Sequence, residues 1–413
     1  MMPLSGVRVI DLGRVWAGPL ASRIMGDFGA EVIKVETLSG RGDFTIGERL
    51  IFEDFPDKVP GARPWNRSGF FNDLNRNKKS LTLDLTNPAG KEVFEKLVRL
   101  SDVVIENYTP RVMANFGLDF PALKLLNDKL IMLSMPAYGA NGPYSKFPGF
   151  GNTIESVAGL TNLTGYAGES PHLPGMITGD VFAALHGVSA VMVALRHRRL
   201  TAAGQHIDLS QAEAQTSAIG ARILEYQMSR KEPERAGNFD TEKAPHGCYR
   251  CRGEDKWVAI TVASENEWEA LCTAMGNPEW TQEERFSTLK QRRQQWRDLD
   301  KRIAAWTANL GHLDVMHRLQ SAGVTCGALL NGRELLENEH LNERGFFVEI
   351  PHAEAGTHKY AGTPVKLSAT PAHFSLPAPL LGEHNDNILK ELLGIGEAEI
   401  ELLRKCGALG TTP

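Results

Sequence analysis

The sequence predicts an α/β fold, a parallel sheet covered by helices and joined to a second, smaller α+β unit. Three observations predict it. Short apolar, β-branched runs alternate with helix-period segments through the first half of the chain. The 413 residues exceed the roughly 250–300 at which one core stops growing. A polar stretch at 231–243 separates the alternating half from a segment of different pattern.

Val7-Arg-Val-Ile-Asp-Leu12 reads as the first strand, Gly18-Pro19 opens a helix through Phe28, and Glu31-Val-Ile-Lys-Val-Glu36 is a second strand. This is a βαβ unit, whose crossover connection makes its strands parallel. Residues 80–85, 102–106 and 130–134 continue the strand pattern, with a helix from Pro88 to Leu100 between the first two. Such sheets hold ligands at the carboxyl ends of their strands. The segments to watch are therefore 14–19, 37–43, 107–111 and 136–143. Residues 181–195 form an apolar run shorter than the roughly 20 residues needed to span a bilayer, and are expected as a buried helix. A helical segment at 211–230 follows. Boundaries are expected at 1–205 and 336–413 for the large domain, 206–243 for a linker and 244–335 for the small domain. The small domain opens on a hairpin at 248–261 and continues into charged helices over 265–319; 362–367 and 371–377 read as short strands and an extended tail returning to the large domain.

A net charge of −5 provides no general attraction to nucleic acid or an anionic membrane, so neither is an expected partner. Five cysteines, an odd number spread along a large chain, do not form a secreted disulfide framework, and no leader pattern precedes the first strand. A cytoplasmic location is expected. Phosphate-loop, nucleophile-elbow and zinc-helix motifs are absent, and Gly149-Phe-Gly151 lacks the third glycine of a dinucleotide fingerprint. Cys248-x-x-Cys251, with His246 nearby, has no second pair to complete a zinc site, so no metal is expected.

Residues 147–195 contain no Lys or Arg and three acids: Glu155, Glu169 and Asp180. Asp180 follows a glycine and precedes the apolar helix. On local sequence it reads equally as a helix N-cap and as a carboxylate nucleophile approached closely by backbone at Gly179.

The ordered segments Pro3-Leu-Ser-Gly-Val-Arg-Val-Ile-Asp-Leu12, Ala17-Gly-Pro19, Gly29-Ala-Glu-Val-Ile-Lys-Val-Glu36, Asn75-Arg-Asn-Lys-Lys-Ser80, Asp102-Val-Val-Ile-Glu-Asn-Tyr-Thr-Pro110, Gly139-Ala-Asn-Gly-Pro143, Gly179-Asp180 and Leu381-Gly-Glu-His384 change that balance. Together they resemble the class III coenzyme A transferases of the CaiB/BaiF type, which include formyl-CoA:oxalate and carnitine CoA-transferases. The resemblance implies a Rossmann-like large domain built from both ends of the chain, a smaller inserted domain, and two subunits threaded as interlocked rings. It implies Asp180 as the catalytic nucleophile and a CoA thioester as substrate, with no tightly bound cofactor. CoA contacts carry over to Trp16, Ala17, Asn75, Lys78, Asn107, Tyr108, Thr109, Tyr138 and Gly139. The partners implied are an acyl-CoA, small carboxylic acids and a second subunit, identical or paralogous.

The chain departs from that pattern in places. Trp16 replaces the glutamine of formyl-CoA transferase, and Thr37 and Asn115 stand where that enzyme has arginines, with Arg41 or Arg111 as candidate substitutes. Its glycine-rich lid has no counterpart near Gly237-Asn238. The alternatives are an α-methylacyl-CoA racemase, whose His-Asp pair is missing from 149–153, and a noncatalytic CoA-binding subunit. Trp16, with Phe147 and Phe150, points either to an acceptor acid with an apolar portion or to ordinary packing. Succinyl-CoA is a candidate donor.

Overall fold

The computed structural model describes residues 1–38, 55–173, 175 and 178–413. Six parallel strands, β1 (Arg8–Asp11), β2 (Glu31–Glu36), β3 (Lys78–Thr82), β4 (Val103–Glu106), β5 (Ile131–Ser134) and β6 (Gln205–Asp208), form one sheet in the order β3-β2-β1-β4-β5-β6. The order reverses between β1 and β4, which opens a crevice at their carboxyl ends. The helices that matter here are α1 (Ala17–Asp27), α2 (Gly69–Asn75), α3 (Pro88–Arg99), α4 (Phe120–Leu126), α5 (Gly151–Val157), α6 (Thr178–Thr201), α7 (Gln211–Ala218) and α8 (Gly220–Ser229).

Period-two alternation divides the core between the two faces of the sheet. Ile10, Ile33, Val104 and Met132 pack against Phe94 and Leu97 of α3, Leu123 of α4 and Ile400 near the C-terminus. Val9, Val32, Ile105 and Leu133 point the other way, onto Leu20 and Met25 of α1 and Ala183, Ala184 and Val191 of α6. Local signals set the helix starts. Asn87 caps α3 by accepting the Ala89 N–H with Pro88 in the first turn, and Ser210 caps α7 by accepting from Glu213.

The chain divides into two compact units: residues 1–161, 173–231 and 340–413 in the first, 162–172 and 232–339 in the second. The expected linker at 206–243 is corrected by this division. Residues 206–208 belong to β6, which is bonded to β5, and α7 and α8 lie in the first unit. Residues 162–172 join the second unit because Arg235 donates to the Asn162 and Glu169 carbonyls and Gly237 N–H to that of Gly165. The expected strands at 362–367 and 371–377 do not form; the strands lie one segment earlier, in the hairpin β10 (Phe347–His352) and β11 (Gly356–Ala361). The tail after it runs back along the first unit, where Asn77 Oδ1 accepts from the N–H groups of Ser375 and Leu376.

The second unit holds an antiparallel sheet of β7 (His246–Arg250), β8 (Trp257–Thr261) and β9 (Thr325–Ala328). Val258, Ile260, Leu271, Leu299 and Val315 form its core. Cys248 is exposed and Cys251 buried, and no group of three metal-ligating side chains occurs among the described residues.

The 24-residue α6 is long and apolar enough to cross a membrane by length and composition. Its small residues Gly179, Ala183, Ala184, Gly187, Val191 and Ala194 instead bury one stripe against the sheet and α1. The expectation of a buried helix holds for that stripe alone, because Leu185, Val193 and Leu200 are more than half exposed.

Candidate active site

The loop from β1 to α1 is built for close approach. A Cβ on Gly13 would stand 2.7 Å from the Gly18 Cα, and one on Gly18 would stand 2.6 Å from the Gly13 Cα, so neither position accepts a side chain. Between them Val15 adopts φ +62°, an unfavourable left-handed conformation for a β-branched residue. The neighbouring loop braces it: Asn107, just after β4, accepts from Arg14 N–H at 2.8 Å and donates to the Arg14 carbonyl at 2.9 Å. The two loops flanking the switch point are thus tied into one piece.

That piece presents the Ala17 N–H, at the start of α1, to Asp180 Oδ1 at 3.3 Å. Asp180 is 8% exposed. It lies in the first turn of α6, not at an N-cap, since helix is already formed at Thr178. The start of α6 is held from another helix: Glu155 of α5 accepts both the Thr178 N–H, at 2.7 Å, and its hydroxyl, at 2.8 Å. Burial raises the Asp180 carboxyl to about 6; the Ala17 N–H opposes the rise and the Glu155 charge adds to it. Asp180 is therefore a desolvated carboxylate, still mostly ionised at neutral pH.

Gly179 leaves its side-chain space to a neighbouring amide. Its backbone is helical, but a Cβ there would lie 1.5 Å from Nε2 of Gln215, on α7. Sequence reasoning found the close approach at Gly179 but neither Gln215 nor the Glu155 clamp. Both residues are distant from Asp180 in the chain and carry no local motif.

On the opposite face of the sheet, a cavity of about 300 Å³ opens at the ends of β1, β2, β3 and β4. Leu12, Arg14, Thr37, Leu85, Tyr108 and Phe116 are among its walls. Tyr108 is fixed there by its backbone N–H, which donates to Glu106 Oε2 at 2.7 Å. Burial, opposed by bonds from Ser134 and Tyr108, raises Glu106 to about 7. Arg14 Nη2 approaches Thr37 Oγ1 at 3.4 Å, which places a guanidinium on this cavity that motif matching did not single out.

Two expected CoA contacts are buried and engaged within the protein. The Lys78 ammonium is fully buried and gives its protons to Asp11 Oδ2 at 2.9 Å, the Pro19 carbonyl at 2.9 Å and Asn75 Oδ1 at 2.8 Å. Asn75 is equally buried and donates to the Phe71 carbonyl. The three bonds use every proton of the Lys78 ammonium, leaving none for a phosphate. They tie β3 and α2 to the first turn of α1, and burial, opposed by Asp11, lowers Lys78 to about 8.

The remaining expected residues fall into three groups. Trp16, Ala17 and Asn107 flank the switch point beside Asp180, and Tyr108 lines the cavity. Thr109 is half-buried, whereas Arg111 and Asn115 are exposed; Arg41 lies outside the described residues. Tyr138 meets Tyr144 and Phe147 edge-on at 6.1 and 6.5 Å, and Gly139 turns the chain at φ +83°. The ring packed on Trp16 is Phe70, edge-on at 5.3 Å; Phe147 stacks on Tyr144, and Phe150 is 65% exposed.

A doubly wound sheet with a carboxylate buried beside its switch point is an α/β arrangement suited to acyl or group transfer. The chain belongs to CoA-transferase family III, whose model matches residues 4–385. It is 33% identical to the succinyl-CoA–D-citramalate CoA-transferase of Chloroflexus aurantiacus, over 97% of both chains. It is 31% identical to the succinate–glutarate CoA-transferase of Agrobacterium fabrum, over 94% of this chain and 96% of that one. Among solved structures, a CaiB/BaiF family protein from Brucella suis superimposes with a TM-score of 0.85 at 29% identity, covering 95% of this chain and 99% of that one. The chain is thus a family III CoA-transferase, transferring CoA between an acyl-CoA and an acid.

Proposed function

We propose that Asp180 carries CoA between two carboxylic acids as an aspartyl thioester, with succinyl-CoA as donor and a small dicarboxylic acid as acceptor. The observation that carries the mechanism is the buried carboxylate at the switch point, facing the Ala17 N–H. The choice of acids is supported by the relatives named above, which act on succinyl-CoA or succinate with a second dicarboxylate.

The ionised Asp180 attacks the thioester carbonyl and expels CoA thiolate, leaving a mixed anhydride. The thiolate then attacks the aspartyl carbonyl of that anhydride, forms the aspartyl-CoA thioester and releases the donor acid. The acceptor carboxylate attacks this thioester, again expelling thiolate, which takes the acceptor acyl group from the second anhydride and frees Asp180. Each step exchanges one activated acyl bond for another, so no phosphoryl donor is needed. The Ala17 N–H is positioned to steady the negative oxygen as the aspartyl carbonyl is attacked.

The cavity beside Tyr108 and Arg14 is our candidate for the nucleotide end of CoA, with Arg14 in place of Lys78 as the nearby cation. The pantetheine arm then passes the 13–16 loop to reach Asp180, and Trp16 borders the space left to the acids. We further propose an interlocked dimer. All of α8 is exposed or half-exposed in the single chain, including Leu224 at 54% and Met228 at 83%, a composition suited to a subunit interface.

Incubation with succinyl-CoA and a panel of dicarboxylates, followed by hydroxylamine and peptide mass spectrometry, tests the mechanism. A hydroxamate at Asp180 is expected. CoA transfer with no Asp180 adduct, and with activity retained in Asp180→Asn, refutes it.

A further inference from the structure

Gln215 is fully buried on α7, and among the described residues it alone leaves both polar atoms of its side chain buried without a hydrogen-bond partner. Gln211, one turn earlier on the same face, donates to the Met135 carbonyl at 2.8 Å. Buried amides are ordinarily satisfied, so an exception beside a reactive group calls for a reason. The Gln215 amide sits against Gly179, where Nε2 fills the space of a missing side chain, and the next residue is the nucleophile. Asp180 in turn has acceptor capacity to spare among the described residues: a carboxylate has room for about four donors, and it is met by the Ala17 N–H, at 3.3 Å from Oδ1, and by its own backbone N–H. An idle donor and an under-used acceptor therefore flank one turn of helix.

We propose that Gln215 is a positioning residue for Asp180, its Nε2–H bonding to the carboxylate as the side chain turns into its attacking position and thereby fixing which oxygen meets the thioester. The inference rests on Asp180 being the nucleophile. The bond absent from the resting arrangement forms in the reacting one, which accounts for an amide held dry and unpaired at this place. It also accounts for Gly179, since any larger residue would displace the amide.

The test compares wild type with Gln215→Met, which keeps the length and removes both polar atoms, and with Gln215→Glu, in succinyl-CoA-dependent transfer across pH. Gln215→Met is expected to melt at a higher temperature than wild type, because an unsatisfied amide has gone. Its kcat should fall about 10- to 100-fold, as expected for losing one bond to a charged group. KM for succinyl-CoA should stay within about twofold, and the acid limb of the kcat profile should move up by about one unit. Gln215→Glu should move that limb further, by adding a second carboxyl. Wild-type kcat and an unmoved acid limb in Gln215→Met overturn the proposal, as does loss of fold in both Gln215→Met and Gln215→Leu, which would make the amide structural. A wild-type enzyme that transfers CoA without an Asp180 adduct is a separate result, and it removes the nucleophile reading on which this one stands.

Discussion

Replacing Asp180 by asparagine should abolish transfer and at the same time stabilise the folded protein at neutral pH. The group moves from 3.8 unfolded to about 6 folded, chiefly through burial. Because the folded pKa is raised, the native state binds the proton more tightly. The cost of ionising the buried group is absent below about pH 4, grows as pH rises through the interval, and is complete above about pH 6. The difference of roughly two units corresponds to about 3 kcal/mol. Asparagine keeps the shape and an oxygen for the Ala17 N–H but carries no charge. Denaturant unfolding at pH 7.5 should therefore place Asp180→Asn up to about 3 kcal/mol above wild type, and the two should converge near pH 4. A variant less stable than wild type at pH 7.5, or a stability gap that does not change with pH, would refute the account of a desolvated carboxylate.

Glu155→Gln should keep the clamp on Thr178 while removing the charge that helps raise Asp180, so the acid limb of kcat/KM should move to lower pH by less than about one unit; a shift to higher pH contradicts this. Lys78→Met leaves Asp11 buried with Lys34 at 3.9 Å as its remaining cation, and should cost about 3–5 kcal/mol of stability by denaturant titration. A purely CoA-binding lysine would instead raise KM and leave stability alone. Gly179→Ala should destabilise the fold through the clash with Gln215, and Gly179→Ala with Gln215→Ala should recover stability relative to the single change; additive losses would place the clash elsewhere. Tyr108→Ala should raise KM for the acyl-CoA without changing where hydroxylamine traps the adduct.

The sheet was legible because its signals are local. Its central strands are short apolar runs followed by a turn or cap, as in Val103–Glu106 before Asn107 and Ile131–Ser134 before Pro136. Strand order was not legible, since it depends on which runs pair across distances such as Arg8 to Glu31 and Ile131 to Gln205. The same limit explains the misplaced linker: Gln205–Asp208 is short and polar on one face, and reads as a strand only once β5 is beside it. Lys78 shows how a correct motif can mislead about a side chain. The segment 75–80 was found by its pattern, but three buried acceptors, one of them the carbonyl of Pro19, take the ammonium inward. Glu155 and Gln215 were invisible for a related reason, because helix packing alone brings them to residues 178 and 179.

With Asp180 as the proposed nucleophile, burial acts on it in two opposed ways, and their balance explains why the site tolerates a raised pKa. Desolvation protonates the carboxyl more readily, which removes nucleophile. With a value of about 6 the loss at pH 7 is small, leaving roughly 90% ionised. The same desolvation strips water from the attacking oxygen, which makes it more reactive, and keeps water away from the anhydride and thioester that follow. In the proposed mechanism those intermediates have to outlast the departure of one acid and the arrival of another, so protection from hydrolysis matters more there than a tenth of the nucleophile. A shallower site with an ordinary carboxylate would begin fully ionised but would drain its activated acyl group to water. The Glu155 clamp and the packed Gly179–Gln215 contact, which keep the turn deep and closed, are on this argument as much a part of the transfer chemistry as the carboxylate they surround.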